Sequence, residues 1–311
     1  MNAENHLILK KKASKLTRQS RARRLLLSKH NLDAMNVAKA VITSANPADK
    51  HLPLQTLIDS KGENRTALQI LLAEVITAGI DSIALIIPPG DAERYHLAAG
   101  GFAERLTFIE QKEPLGYGHA VSLAANFVDD DPFLLLVGDH LFRSLEDASC
   151  VQQIINLAKG ECTTISGVQA THESQLHLYG TVAAGLRAGS QNTYEISNIV
   201  EKPTPTLAEQ DLIVPGLRAG HYLCFFGMHI LPAKAMEHLV EEQGKLVEGE
   251  ALGLTNTLNH LAANGEYLAL NINGQRFNLG ERYGLLRAQL ALSLAGPHRD
   301  EVMATIIELL A

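Results

Sequence analysis

The chain has 311 residues, 46% of them hydrophobic and 20% charged, with a net charge of −7. That is a globular composition with enough length for one large domain or two small ones. It holds no apolar run long enough to span a bilayer, and Cys150, Cys162 and Cys224 are too scattered for a zinc knuckle or a disulfide framework. A reducing cytoplasm is the expected compartment.

The charge is unevenly spread. Nine of the 27 basic residues fall in the first thirty positions, opposed there only by Glu4. Such an arm suits nucleic acid, an anionic surface or an acidic neighbour. It equally suits a solvated helix lying on the protein's own acidic body. The last is the expectation, so nucleic acid is not an expected partner. The first residues place a short apolar stretch before the lysines, the wrong order for a secretory signal.

In chain order, residues 13–40 contain few breakers and read as a helix. A short strand follows at 40–42, then an amphipathic helix at 67–78 ended by Gly79. Strands are expected at 82–87, 106–109 and 132–137, with a helix at 119–127 before the last of them. The second half is richer in strands, at 163–168, 179–184, 194–200, 220–226 and 267–272. Helices at 281–294 and 300–310 close the chain. Continuous apolar strands alternating with helices imply an α/β, Rossmann-like fold, with a mostly parallel mixed sheet sandwiched by helices. No linker or repeat divides it. The expected organisation is a basic helical extension over 1–38 and a single domain over 39–311.

Ligands of open α/β sheets bind beyond the carboxyl ends of the strands, so the residues that follow each strand are the candidates. After the 106–109 strand stands Gln111, whose amide has the donor and acceptor to pair with a pyrimidine edge. It is followed by Gly116, Tyr117, Gly118 and His119, a turn that brings backbone close to a flat ligand and points helix N–H groups at it. The same turn also suits a tight strand–helix connection. Asp139, past the 132–137 strand, is sited to hold Mg2+ near phosphates, or to serve as a turn aspartate. Glu201 and Lys202, past the 194–200 strand, suit sugar hydroxyls and a phosphate, or an ordinary surface ion pair.

The order and spacing of QKEPLGYGHAV, VGDH, LYGTV, NIVEKP, AGHYL, GEALGLTNTL and GQRFNLG resemble bacterial UTP–glucose-1-phosphate uridylyltransferase over residues 41–294. The resemblance implies the nucleotide-diphospho-sugar transferase fold. It also implies attack of a sugar 1-phosphate on the α-phosphorus of UTP, with Mg2+ as cofactor. Carried onto matching positions, Gln111 and the Gly116 backbone read the uracil, with Gly118 and His119 in the same turn. Gly180 and Glu201 approach the sugar, Lys202 holds the sugar phosphate, and Asp139 and Asn278 take the metal positions. The expected ligands are UTP or a UDP-sugar and a sugar 1-phosphate. A homo-oligomer is the expected assembly.

The chain departs from that family at its first loop. In place of a glycine-rich triphosphate cradle it has Ser44-Ala45-Asn46-Pro47-Ala48-Asp49-Lys50. Pro47 has no N–H to donate, and Asp49 adds negative charge beside the expected phosphates. Asn278 and Asn256 stand where the family has acids, and His221 where it has an arginine. Two readings follow. One is an active enzyme whose rebuilt loop uses Ser44, Asn46 and Lys50. The other is a non-catalytic protein that binds nucleotide sugars.

Overall fold

The computed structural model describes residues 35–161, 163–247, 249–264 and 267–311. Its strands are β1 (Lys39–Thr43), β2 (Thr56–Ile58), β3 (Asn64–Thr66), β4 (Ser82–Ile87), β5 (Leu106–Glu110), β6 (Phe133–Val137), β7 (His140–Ser144), β8 (Thr164–His172), β9 (Gly180–Leu186), β10 (Thr193–Glu201), β11 (His221–Leu231), β12 (Tyr267–Asn271) and β13 (Gly274–Asn278). The helices are α1 (Ala67–Thr77), α2 (Ala92–Ala99), α3 (Tyr117–Ser122), α4 (Ala125–Val128), α5 (Cys150–Ala158), α6 (Pro205–Asp211), α7 (Ala233–Gln243), α8 (Thr255–Ala263), α9 (Gly284–Ser293) and α10 (Arg299–Leu310). Residues 1–34 lie outside the described residues, and with them most of the helix expected over 13–40. The end of that expectation is corrected. Residues 35–38 are not helical, and Met35 and Val37 are buried at alternate positions as the chain runs into β1.

Nine strands form one sheet in the order β5-β4-β1-β6-β11-β8-β12-β10-β9. Its first four strands are parallel, with Val41 opposite both Ala84 and Leu135. Period two sends Ile42, Leu85 and Leu136 to one face and Val41, Ile86 and Leu135 to the other. Both faces are covered at the centre of β1, β4 and β6, so those positions are apolar, while edge strand β5 keeps Thr107 and Glu110 exposed. The first face is closed by α1 and α5. Thr66 caps α1 with a reciprocal box to Gln69, and Leu68, Leu71, Leu72 and Val75 bury themselves fully. Each such side chain contributes roughly 1.5–3 kcal/mol of transfer energy. The second face is closed by α3, α7 and α8 through Val121, Met236 and Leu258.

The expectation of a mostly parallel sheet is corrected. Beyond β6 the sheet turns antiparallel at β11, and among the described residues β8–β12 is the one parallel pair in that half. β11 also pairs with β9, which closes β11, β8, β12, β10 and β9 into a ring. The physical reason is connection length. The β9–β10 link is a short turn and contains no crossover helix, so those strands must run antiparallel. Gly227, at φ +91°, sits in the register shift of β11 between Phe225 and His229 and bends that strand.

Two helices are shorter than expected. The 119–127 helix splits into α3 and α4, where the Ser122 hydroxyl donates to the His119 carbonyl at 2.8 Å and competes with the helical ladder. The 281–294 helix begins only at Gly284, because Tyr283 is left-handed at φ +65°.

Candidate active site

The carboxyl ends of β1, β5 and β6 open onto a cleft of about 280 Å³. Of the expected residues, Ser44, Asn46, Gln111, Gly116 and Asp139 line it together, with Tyr117 and Asp49 beside them.

Gln111 is buried and fixed in orientation. Its Nε2 donates to the Gly116 carbonyl at 3.2 Å and lies 3.0 Å from His119 Nδ1. The amide donor is therefore spent, and among the described residues no hydrogen bond takes Oε1. His119 acts behind Gln111 as a support. The two glycines also have a local reason. A Cβ on Gly116 would stand 2.6 Å from the Leu252 carbonyl oxygen, and one on Gly118 2.6 Å from that of Gly253. Gly118 N–H donates to the Leu252 carbonyl at 2.8 Å. The turn is thus clasped by the segment before α8. Gly118 does not line the cleft.

At the other end, Gly138 N–H donates to the Thr43 carbonyl at 2.8 Å, which ties the exit of β6 to β1. Asp139 follows, 2.7 Å from His140 Nδ1. Burial works against its charge, yet the His140 imidazole, its hydrogen bonds and the Lys202 charge together hold the carboxyl below its ordinary value. Asn278 stands beside it, since β13 pairs with β7 with Asn278 opposite His140, and Leu279 N–H donates to the Asp139 carbonyl at 2.9 Å.

Asp49 comes to the same place. Its Oδ1 and that of Asn278 lie 3.4 and 3.3 Å from the point where a Gly280 Cβ would stand. Burial, and then the Asp139 charge, raise the Asp49 carboxyl above its ordinary value. The Asn46 amide donates to Asp49 and holds it there.

Lys50 does not reach this end of the cleft. Its ammonium pairs with Asp91 at 3.1 Å, and Asp91 also takes Arg94 at 2.8 Å. The loop is tied down by a residue that sequence reading missed. Fully buried Tyr95 donates to the carbonyls of Lys50 at 2.8 Å and Ser44 at 3.1 Å. An aromatic hydroxyl therefore fixes the backbone of the loop at both of its ends.

Gly180, Glu201 and Lys202 form a neighbouring group. Gly180 pairs with Glu201 across β9 and β10, and a Cβ there would meet the Phe225 ring at 2.7 Å and Glu201 Oε2 at 2.9 Å. Lys202 is left-handed at φ +47°, with its N–H donating to the Tyr179 carbonyl at 3.2 Å. Tyr117, read from sequence only as part of the turn, joins the two groups. Burial first, and then the charges of Asp139 and Glu201, raise its phenol.

Among the described residues no three His, Cys, Asp or Glu side chains are grouped to hold an ion. The set present is two carboxylates and an amide oxygen. It fits Mg2+, which takes few protein ligands and completes its shell with water and substrate phosphate. The Ser44 hydroxyl, on a residue that lines the same cleft, is buried without a partner against Gly138.

A mixed-sheet α/β body with a cleft beyond its parallel strands defines a nucleotide-binding class of protein. Residues 54–285 match the nucleotidyl transferase profile, and the chain belongs to that family. It is 26% identical to the UTP–glucose-1-phosphate uridylyltransferase of Bacillus subtilis, over 86% of this chain and 95% of that protein. It is also 26% identical to the enzyme of that name from Staphylococcus epidermidis, over 65% of this chain and 64% of that protein's length. Among solved structures, a UDP-glucose pyrophosphorylase complexed with UDP-glucose superposes with a TM-score of 0.68 at 20% identity, covering 82% of this chain and 98% of that one. A UTP-bound UGPase from Acinetobacter baumannii gives 0.67 at 24% identity, covering 88% and 100%.

Proposed function

We propose that the chain is a sugar-1-phosphate nucleotidyltransferase that makes UDP-glucose and pyrophosphate from UTP and glucose 1-phosphate. The observation that carries this reading is Gln111. With Nε2 committed to Gly116 and His119, Oε1 is left as an acceptor, suited to the N3–H donor of uracil. The names of the B. subtilis and S. epidermidis relatives support the same substrates.

In this reading Gln111 and the Gly116 backbone hold the base, and Ser44 and Asn46 face the triphosphate. Gly180 leaves room for the sugar, whose hydroxyls Glu201 accepts. Lys202 neutralises the sugar phosphate. The attacking oxygen is already anionic, so no strong base is needed, and catalysis rests on positioning and charge neutralisation. Mg2+, held by Asp139 and Asn278 with Asp49 beside them, supplies charge compensation at the phosphates when bound. The unpaired thiols of Cys150 and Cys224 support a cytoplasmic location. The exposed Ile307, Leu309 and Leu310 of α10 support a homo-oligomer. A pyrophosphate-release assay with four NTPs against several sugar 1-phosphates tests the reading. No release with any pair, in the presence of Mg2+, overturns it.

A specific observation favours a second reading, the non-catalytic nucleotide-sugar binder. At the phosphate end the loop presents the Asp49 carboxylate, while Lys50 is turned to Asp91. A binder takes UDP-glucose much more tightly than UTP. Calorimetric titration of the two ligands with Mg2+ separates the readings.

A further inference from the structure

A second cavity of about 260 Å³ shares no lining residue with the nucleotide cleft. Its walls include Thr171, His172, Tyr179, His221, Arg276 and Arg287. The guanidinium of Arg276 stacks on the Tyr179 ring, 3.7 Å from its centroid. Nη2 donates to Thr171 Oγ1 at 2.9 Å and Nη1 to the Cys224 carbonyl at 3.4 Å, while Nε is buried without a partner.

Among the described residues no carboxylate pairs with Arg276. The acid in the cavity's lining, Glu281, is already engaged. It accepts from the Tyr179 hydroxyl at 2.7 Å and pairs with Arg287 at 3.4 Å. The cavity therefore carries one uncompensated guanidinium. His172 and His221 meet edge to face with centroids 5.3 Å apart. Their Nδ1 atoms are engaged by Ser174 Oγ at 2.9 Å and the Ala219 carbonyl at 3.3 Å. Their Nε2 atoms have no partner among the described residues.

A half-buried guanidinium that has lost water and gained no counter-ion is stabilised by an anion, and its planar fork matches phosphate oxygens. Of the two imidazoles alongside, His172 accepts from Ser174 N–H at Nδ1 and so offers Nε2–H to the same group, while His221, whose Nδ1–H donates to the Ala219 carbonyl, offers Nε2 as an acceptor for a hydroxyl. Gln175 and Gln275, in the same lining, offer amide donors and acceptors that suit hydroxyls. We propose that this cavity is a second ligand site, which binds a phosphorylated sugar with its phosphate on Arg276 and His172 and a hydroxyl on His221. Asn278 and Gly284 belong to the same wall, so an occupant there touches the turn that leads into α9.

The test is calorimetric titration of the full chain with glucose 6-phosphate, inorganic phosphate and glucose. Glucose 6-phosphate carries no phosphate on its anomeric carbon and is not an acceptor for the proposed reaction. The expected result is binding of glucose 6-phosphate more tightly than phosphate, and no heat from glucose. Arg276→Gln should weaken glucose 6-phosphate binding about tenfold or more, the loss of a charged hydrogen bond, and His221→Ala about fivefold to tenfold, the loss of a hydrogen bond to a sugar hydroxyl. Affinity for UDP-glucose should not change. If Arg276→Gln impairs folding, His221→Ala, on a partly exposed residue, carries the test. The proposal is overturned if glucose 6-phosphate does not bind, if both variants bind it as the unaltered chain does, or if saturating UDP-glucose displaces it. Phosphate binding as tightly as glucose 6-phosphate would overturn the sugar part.

Discussion

Asp139 and Gln111 mark the two ends of the cleft, and their substitutions should separate cleanly. Asp139→Asn keeps the shape but removes the charge. It should raise the reaction barrier on the order of 2–4 kcal/mol and weaken Mn2+ binding followed by electron paramagnetic resonance, while uridine binding persists. Equal Mn2+ affinity in the variant would remove Asp139 from the metal position. Asp49→Asn should also weaken Mn2+ binding, because its carboxylate faces the same point as Asn278. Gln111→Ala loses the acceptor for the base and leaves the Gly116 carbonyl and His119 without their donor. The expected loss in UDP-glucose affinity is about 1–3 kcal/mol, read by calorimetry, with preference over purine nucleotides reduced. Lys50→Ala, by contrast, should act on the loop through Asp91 and leave UDP-glucose affinity nearly unchanged.

At the level of elements, β11, β8 and β12 of the five-stranded ring bring together His229, which touches Ser166 Oγ, itself 2.6 Å from the Tyr267 hydroxyl. Burial pushes His229 down from 6.5 to about 4. The folded chain therefore keeps this imidazole neutral where the unfolded chain protonates it. Stability should fall as pH drops from about 6.5 to about 4 and level off below, a total of about 3 kcal/mol from this group. Urea titrations across that window should show the slope, and His229→Gln should remove its share of it. A slope unchanged in the variant would assign it elsewhere. The entry to α9 is a second sensitive place. A Cβ on Gly284 would stand 1.9 Å from the Asn278 carbonyl oxygen. Gly284→Ala should cost roughly 1–3 kcal/mol or more and shift Asn278 with its turn, visible as a lower melting temperature together with weaker Mn2+ binding.

For the whole molecule, the loop at 44–51 is coupled to the sheet through Tyr95 on α2. Tyr95→Phe removes a hydroxyl that serves two backbone carbonyls. It should destabilise the fold by about 1–3 kcal/mol and speed hydrogen exchange in this loop more than elsewhere. Uniform exchange across the chain would show that the loop is held by other contacts.

Sequence by itself determined the alternation of continuous apolar strands with helices from 40 to 137, because strands covered on both faces leave no polar position. It also located Gln111, Gly116 and Asp139 at strand exits, since the carboxyl end of a parallel strand is legible from the chain's direction alone. Tertiary structure decided the rest. Whether β11 runs parallel or antiparallel to β6 depends on which strand it finds, and no period in the sequence encodes that. The ends of Lys50 and Asp49 go to different partners because Asp91, more than forty residues on, attracts one, and because Asn46 holds the other. A charge pattern along seven residues cannot say which partner folding will bring. Arg276 reads as an ordinary strand residue; its missing counter-ion exists only once Tyr179, Glu281 and His221 arrive around it.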